Sequence, residues 1–176
     1  MIGRADLTKA NLDGANLISA NLTETILHGA VLSDANLDFA ELPGANLHGA
    51  ILCHATLFFA DLRGVDFTGA NLTGATLIHA NLTGADLTGA TLTEAKLNEA
   101  NLIYAELTGA SLTRGSLIEA NLVHANLAEA DLSGANLTGA NLHAADLRNA
   151  ILNGADLTEA NLNGAITDDP RSKTLP

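Results

Sequence analysis

His28 and His48, 20 residues apart, and the pair Cys53-His54 just beyond them are the residue types that hold soft divalent metals. A zinc site needs three or four such ligands converging on one point. No third ligand is spaced to converge with the histidine pair, so the sequence predicts no metal site. Serines, histidines and carboxylates are present as raw material for catalysis. The glycines recur every five residues and open no helix, which leaves no loop able to cradle a phosphate. The 20 Asp and Glu against 8 Lys and Arg give a formal net charge of -12. That balance argues against a direct nucleic-acid ligand, because the phosphate term that dominates such binding needs Lys and Arg. One cysteine makes no intrachain disulfide. No run approaches the ~18 apolar residues of a membrane span, and Met1 to Asn11 lacks the apolar segment of a signal peptide. No membrane partner and a cytoplasmic location are therefore expected.

The elements that position these side chains follow from one period. Leucine recurs every five residues from Leu7 to Leu162, with Phe67 the single exception among 32 positions. On an α-helix each step of five advances about 500°, so the leucines would scatter around the cylinder. A flat strand fails as well, because an odd period sends alternate leucines to opposite faces. The chain must turn every five residues. The position two before the leucine place, from Ala5 to Ala165, is Ala in 30 of 33 cases, with Thr25, Val65 and Gly115 the exceptions. Residues two apart on an extended segment point the same way, so Ala and Leu share the inner face and the next two residues make the bend. One such pair is Pro43-Gly44, which types the bend as type II: proline presets φ at the first central position and glycine takes positive φ at the second.

Tandem Ala-Asn/Asp-Leu-Xaa-Xaa modules such as Ala10-Asn11-Leu12-Asp13-Gly14 and Ala85-Asp86-Leu87-Thr88-Gly89 closely resemble the pentapeptide repeat family. The resemblance implies an all-β fold, a right-handed quadrilateral β-helix of about eight coils with four five-residue modules each. At a strand spacing of about 4.8 Å the rod is about 38 Å long. The expected organisation is one repeat domain over 1–167 and a short tail over 168–176. Ile2 already occupies a leucine position, and neither end carries a capping helix, so the ends are expected to associate weakly end to end or to expose their edges. Outward side chains on a convex rod form no water-excluding pocket, so no catalysis and no cofactor are expected.

Residues 20 apart stack in neighbouring coils, which makes the surface legible as columns. Asn81, Asn101, Asn121, Asn141 and Asn161 read as an amide ladder bonded along the stack, and Gly29, Gly49, Gly69, Gly89 and Gly109 as equivalent corners. Asp66, Asp86 and Glu106 form an acidic column, and Glu99 stacks on Glu119. The resembled family includes proteins that shield DNA gyrase from quinolones, and the mechanism proposed for them is imitation of DNA by an acidic rod. Duplex DNA would carry roughly 22 charges in ~38 Å, so a net of -12 gives about half that density. A second candidate is an apolar corner, Phe39, Phe58, Phe59, Ile78 and His79, drawn from three consecutive coils and read as a surface for an unidentified protein partner. A smaller cluster, Ile103, Tyr104, Val123 and His124, lies further along. Inside the rod, Val65 and Phe67 enlarge one module, and Gly115 is expected to leave a methyl-sized void. The leading expectation is a non-catalytic binding or scaffolding rod. A DNA-imitating inhibitor or protector of a type II topoisomerase, or a purely structural element, stands as the alternative.

Overall fold

Every fifth residue from Arg4 to Gly164 has positive φ, between 53° and 74°. The amide N–H of the next residue returns to the carbonyl of the preceding leucine, as Ala45 does to Leu42 at 3.0 Å across Pro43-Gly44. A closed turn with positive φ at its second central residue alone is type II. The corner typed by Pro43-Gly44 is thus repeated at every module. The computed structural model describes residues 4–168. The expected start of the repeat at Ile2 and the tail from Asp169 to Pro176 lie outside the described residues.

One module shows how the backbone closes its hydrogen bonds. In Ala85-Asp86-Leu87-Thr88-Gly89 the Asp86 N–H donates to Val65 in the preceding coil at 2.9 Å, while Leu87 and Gly89 donate to Glu106 and Thr108 in the following coil at 2.7 and 3.0 Å. Ala90 closes the corner onto Leu87 at 2.9 Å. The fifth N–H, that of Thr88, is taken by the Asp86 side chain at 2.9 Å. Asn or Asp before leucine therefore serves the backbone: its short side-chain oxygen reaches the N–H two residues on.

Parallel bridges join residues 20 apart throughout, from Asp6 with Ile26 to Asp146 with Ile166. With a corner every five residues, each coil has four sides. The outward columns are named here by their first residue: face 1 from Asp6, face 2 from Asn11, face 3 from Asn16 and face 4 from Asn21, each followed by the corner of the same number. Inside, the leucines from Leu22 to Leu142, with Phe67 and Val65, are fully buried. The described residues contain no helix.

Two expectations change. Gly115 leaves no void: a Cβ there would lie 3.0 Å from the Leu112 carbonyl oxygen and 3.5 Å from that of Ala95. A methyl group would fit there only if these oxygens gave by a few tenths of an ångström. The asparagine column is also not a ladder bonded along its length. Only Asn161 donates to Asn141 Oδ1, at 2.9 Å, whereas Asn81, Asn101, Asn121, Asn141 and Asn161 each accept from the N–H two residues ahead. The orphan N–H of the turn competes successfully for the oxygen that an amide ladder would use.

Candidate functional surface

Corner 3 brings together all five residues of the predicted apolar patch. Phe39 and Phe59 stack with ring centroids 5.5 Å apart and planes within 1°. His79 continues the stack at 4.5 Å from Phe59, and Phe58 packs beside it at 5.8 Å. Phe39 is 56% and Phe59 50% exposed, while Phe58 and Ile78 are half-buried. The column ends in charge, with His79 Nδ1 3.5 Å from Glu99 Oε2.

The three stacked residues occupy the strained corner position, with φ of 60°, 54° and 58°. Glycine takes this conformation freely, whereas other residues incur roughly 1–2 kcal/mol. Aromatic stacking returns about 0.5–1.5 kcal/mol per pair. The two nearly cancel, so stability alone does not explain aromatics at these corners. Around the patch stand Asp38, Glu41 and Glu99, giving it an acidic rim, while Asp61 nearby is paired with Arg63.

Asp38 has a further task that the sequence reading missed. Thr56 stands where Asn or Asp would cap the next corner, and the Asp38 carboxylate, one coil earlier, accepts the Phe58 N–H instead at 2.9 Å. Asn98 does the same for Ile118 at 3.3 Å, where Ser116 replaces the capping residue. The legible signal is an Asn or Asp in the first corner position 18 residues before a Thr or Ser at the capping position. Thr56 Oγ1 itself is buried without a hydrogen-bond partner.

The acidic column of face 1 is continuous, since Asp66 bridges to Asp86 and Asp86 to Glu106. These groups also hold the fold. Asp66 Oδ1 accepts the Thr68 N–H at 2.9 Å and its hydroxyl at 2.6 Å, and Glu106 Oε2 accepts from Asn126 at 2.8 Å. Elsewhere the guanidinium of Arg63, hydrogen-bonded to Asp61, holds that carboxyl below the usual aspartate range, and Arg148 does so for Asp146. Hydrogen bonds from Ser133 and Thr158 lower Asp131 and Asp156 in the same direction.

His28 and His48 stack on corner 1, 5.2 Å apart, while Cys53 and His54 stand on corner 2. Among the described residues no three His, Cys, Asp or Glu side chains gather in a metal-ligating group. On corner 4, Tyr104 stacks on His124 at 5.2 Å, and His143, which sequence reasoning passed over, meets His124 edge-on at 6.1 Å. No helix among the described residues is long and apolar enough to cross a membrane.

A family model described as pentapeptide repeats matches residues 3–37, 30–69, 70–103, 105–143 and 140–166, in 8 copies. Among solved structures, a trypsin-treated variant of QnrB1, described as a plasmid-mediated fluoroquinolone resistance protein, aligns with a TM-score of 0.72 at 24% identity, covering 94% of this chain and 88% of that one. That likeness shows the fold, a right-handed quadrilateral β-helix. HetL, a pentapeptide repeat protein involved in heterocyst differentiation regulation from the cyanobacterium Nostoc sp. strain PCC 7120, is 33% identical over 99% of this chain and 93% of its own, with a TM-score of 0.38. Rfr23 from the cyanobacterium Cyanothece 51142 is 40% identical over 56% of this chain and 60% of its own, with a TM-score of 0.34. No curated protein matches the chain.

Proposed function

The chain belongs to the pentapeptide repeat family, and from that premise we propose that it is a non-catalytic protein-binding rod whose contact surface is the corner formed by Phe39, Phe58, Phe59, Ile78 and His79. The observation that carries this reading is the exposed Phe39–Phe59–His79 stack, built at positive-φ corners where stacking does no more than offset the strain. Buried aromatic anchors dominate the energetics of protein interfaces. The rim of Asp38, Glu41 and Glu99 favours a partner segment that flanks an apolar anchor with Lys or Arg. Replacing Phe39 and Phe59 together by Gly suits the local φ and removes both rings. A partner retained by the native protein from a lysate is expected to be lost by this variant, with little change in Tm. Retention of the partner by the variant would refute the assignment.

A second reading rests on the unneutralised column Asp66, Asp86 and Glu106 and on the fold shared with a fluoroquinolone resistance protein. It makes the rod an imitation of DNA for a type II topoisomerase. Capping its own corners does not remove the column's charge, but the density is half that of DNA. A gyrase supercoiling assay with micromolar protein separates the two: inhibition, or protection from a quinolone, supports imitation.

A further inference from the structure

The second half of face 4, with its corner, differs from the rest of the surface in lacking formal charge. Over residues 80–84, 100–104, 120–124, 140–144 and 160–164 there is no Asp, Glu, Lys or Arg, although the chain is 16% charged. The outward residue in each of these coils is asparagine. Because Oδ1 of Asn81, Asn101, Asn121 and Asn141 is fixed by the N–H two residues ahead, at 3.2 to 3.3 Å, the amino group is the part of each amide left to face outward. Among the described residues none accepts from these four amino groups. They form a row of oriented donors repeating at the coil spacing of about 4.8 Å.

Beside this row stands Tyr104, 61% exposed and held at a φ of 58°. His124 covers one face of its ring, with planes 3° apart. The opposite face looks back along corner 4 toward Gly84, where nothing lies within 4 Å of the Cβ that it would carry. The result is an aromatic wall standing over a glycine shelf. The carbonyls of the second corner residues, Gly84 among them, receive no backbone N–H in the described structure, which adds an acceptor at the shelf.

We propose that this shelf and the adjoining asparagine row bind a neutral glycan, one pyranose ring lying against the open face of Tyr104. A pyranose has an aliphatic C–H face that suits an aromatic wall and a rim of hydroxyls. The hydroxyls accept from the Asn81 and Asn101 amino groups and donate to the Gly84 carbonyl. An extended glycan repeats such hydroxyls along its length, as the asparagines repeat along the rod. Polyanions meet a net charge of -12, and a polycation finds its carboxylates beyond the asparagine row, at Asp61 and on the neighbouring columns of Glu99 and Glu106. An apolar protein surface would leave the amide donors unpaired, which is costly.

Affinity electrophoresis of the full chain through native gels containing soluble starch, dextran or hydroxyethyl cellulose, with alginate as an anionic control, tests the proposal. At least one neutral glucan is expected to retard the protein. Tyr104→Gly, which suits the corner φ, should weaken that retardation at least tenfold. Asn101→Asp keeps the capping oxygen, as Asp86 does, but removes the donor, and should weaken it several-fold. The Phe39→Gly, Phe59→Gly variant should bind as the native protein does, which separates this surface from corner 3. Any one of the following overturns the proposal: no retardation by the three glucans, equal retardation by alginate, or equal binding by the Tyr104 and Asn101 variants. Sedimentation in which Tyr104→Gly abolishes self-association without any glucan effect would assign the face to a second copy of the chain instead.

Discussion

At the level of single residues, the half-buried Asp38 carries more than its place at a corner suggests. It supplies from the preceding coil the oxygen that Thr56 cannot supply to the Phe58 N–H. Asp38→Ala leaves that N–H unpaired under a half-buried ring and is expected to cost about 1–3 kcal/mol, read as a lower urea midpoint. Asp38→Asn retains an acceptor and should cost much less; equal losses would mean that the carboxylate acts through its charge. The capping role also revises what the asparagines are worth. Leu87→Ala opens a cavity in a fully buried position and should cost about 2–5 kcal/mol. Asn101→Ala removes only the acceptor for Ile103, about 0.5–1.5 kcal/mol. Asp61 shows the pH consequence. Hydrogen bonding to Arg63 lowers its folded pKa, so the stabilisation is present above the ordinary aspartate pKa of about 3.9 and is lost as pH falls through the depressed value. Arg63→Gln should therefore flatten the acid limb of the stability profile below about pH 4.

At the level of the five-residue module, the governing fact is that every corner requires positive φ, whichever residue stands there. This was legible from Pro43-Gly44 alone, because only a type II turn uses both residues so well. The inward Ala and Leu were legible from their two-residue separation, and the four-sided coil followed from family resemblance. What escaped reading was side-chain hydrogen bonding: the asparagine column looked like a ladder because identity at a 20-residue period does not say which N–H competes for the amide oxygen. The patch of Phe39, Phe59 and His79 was visible as a column, but its stacking depends on the lean of each corner side chain toward the following coil. His54 shows that lean. A Cβ at Gly74, one coil on, would lie 2.5 Å from His54 Nδ1, whereas nothing lies within 4 Å of one at Gly89. Both glycines have positive φ, so Gly74→Ala and Gly89→Ala share the backbone strain of roughly 1–2 kcal/mol. The difference between them isolates the clash. Gly74→Ala should lower Tm further than Gly89→Ala, and His54→Ala in the same chain should erase the excess.

At the level of the whole rod, each coil touches only its neighbours, so interactions repeated along a column accumulate rather than average out. Arg4, Arg63, Arg114 and Arg148 each hold a carboxylate at 2.8 Å or closer. Such exposed pairs contribute about 0–1 kcal/mol and weaken with salt. Against them stand Asp66, Asp86 and Glu106 on one column and Glu99 and Glu119 on another, like charges one coil apart, within a net of -12. At about 4.8 Å, two carboxylates in water repel by roughly 1 kcal/mol, and at low salt the repulsion reaches well beyond the nearest coil. Raising ionic strength from about 0.01 M to about 0.15 M shortens the screening length from about 30 Å to about 8 Å. Repulsion along the columns is longer-ranged than the short ion pairs, so it is screened more. Thermal denaturation should therefore show Tm rising with NaCl over this range, and Glu106→Gln should raise the low-salt Tm and reduce the slope. A Tm that falls with salt would show instead that the ion pairs outweigh the columns. The acidic column would then be stabilised by its own hydrogen bonds, with no repulsion for a basic partner to relieve.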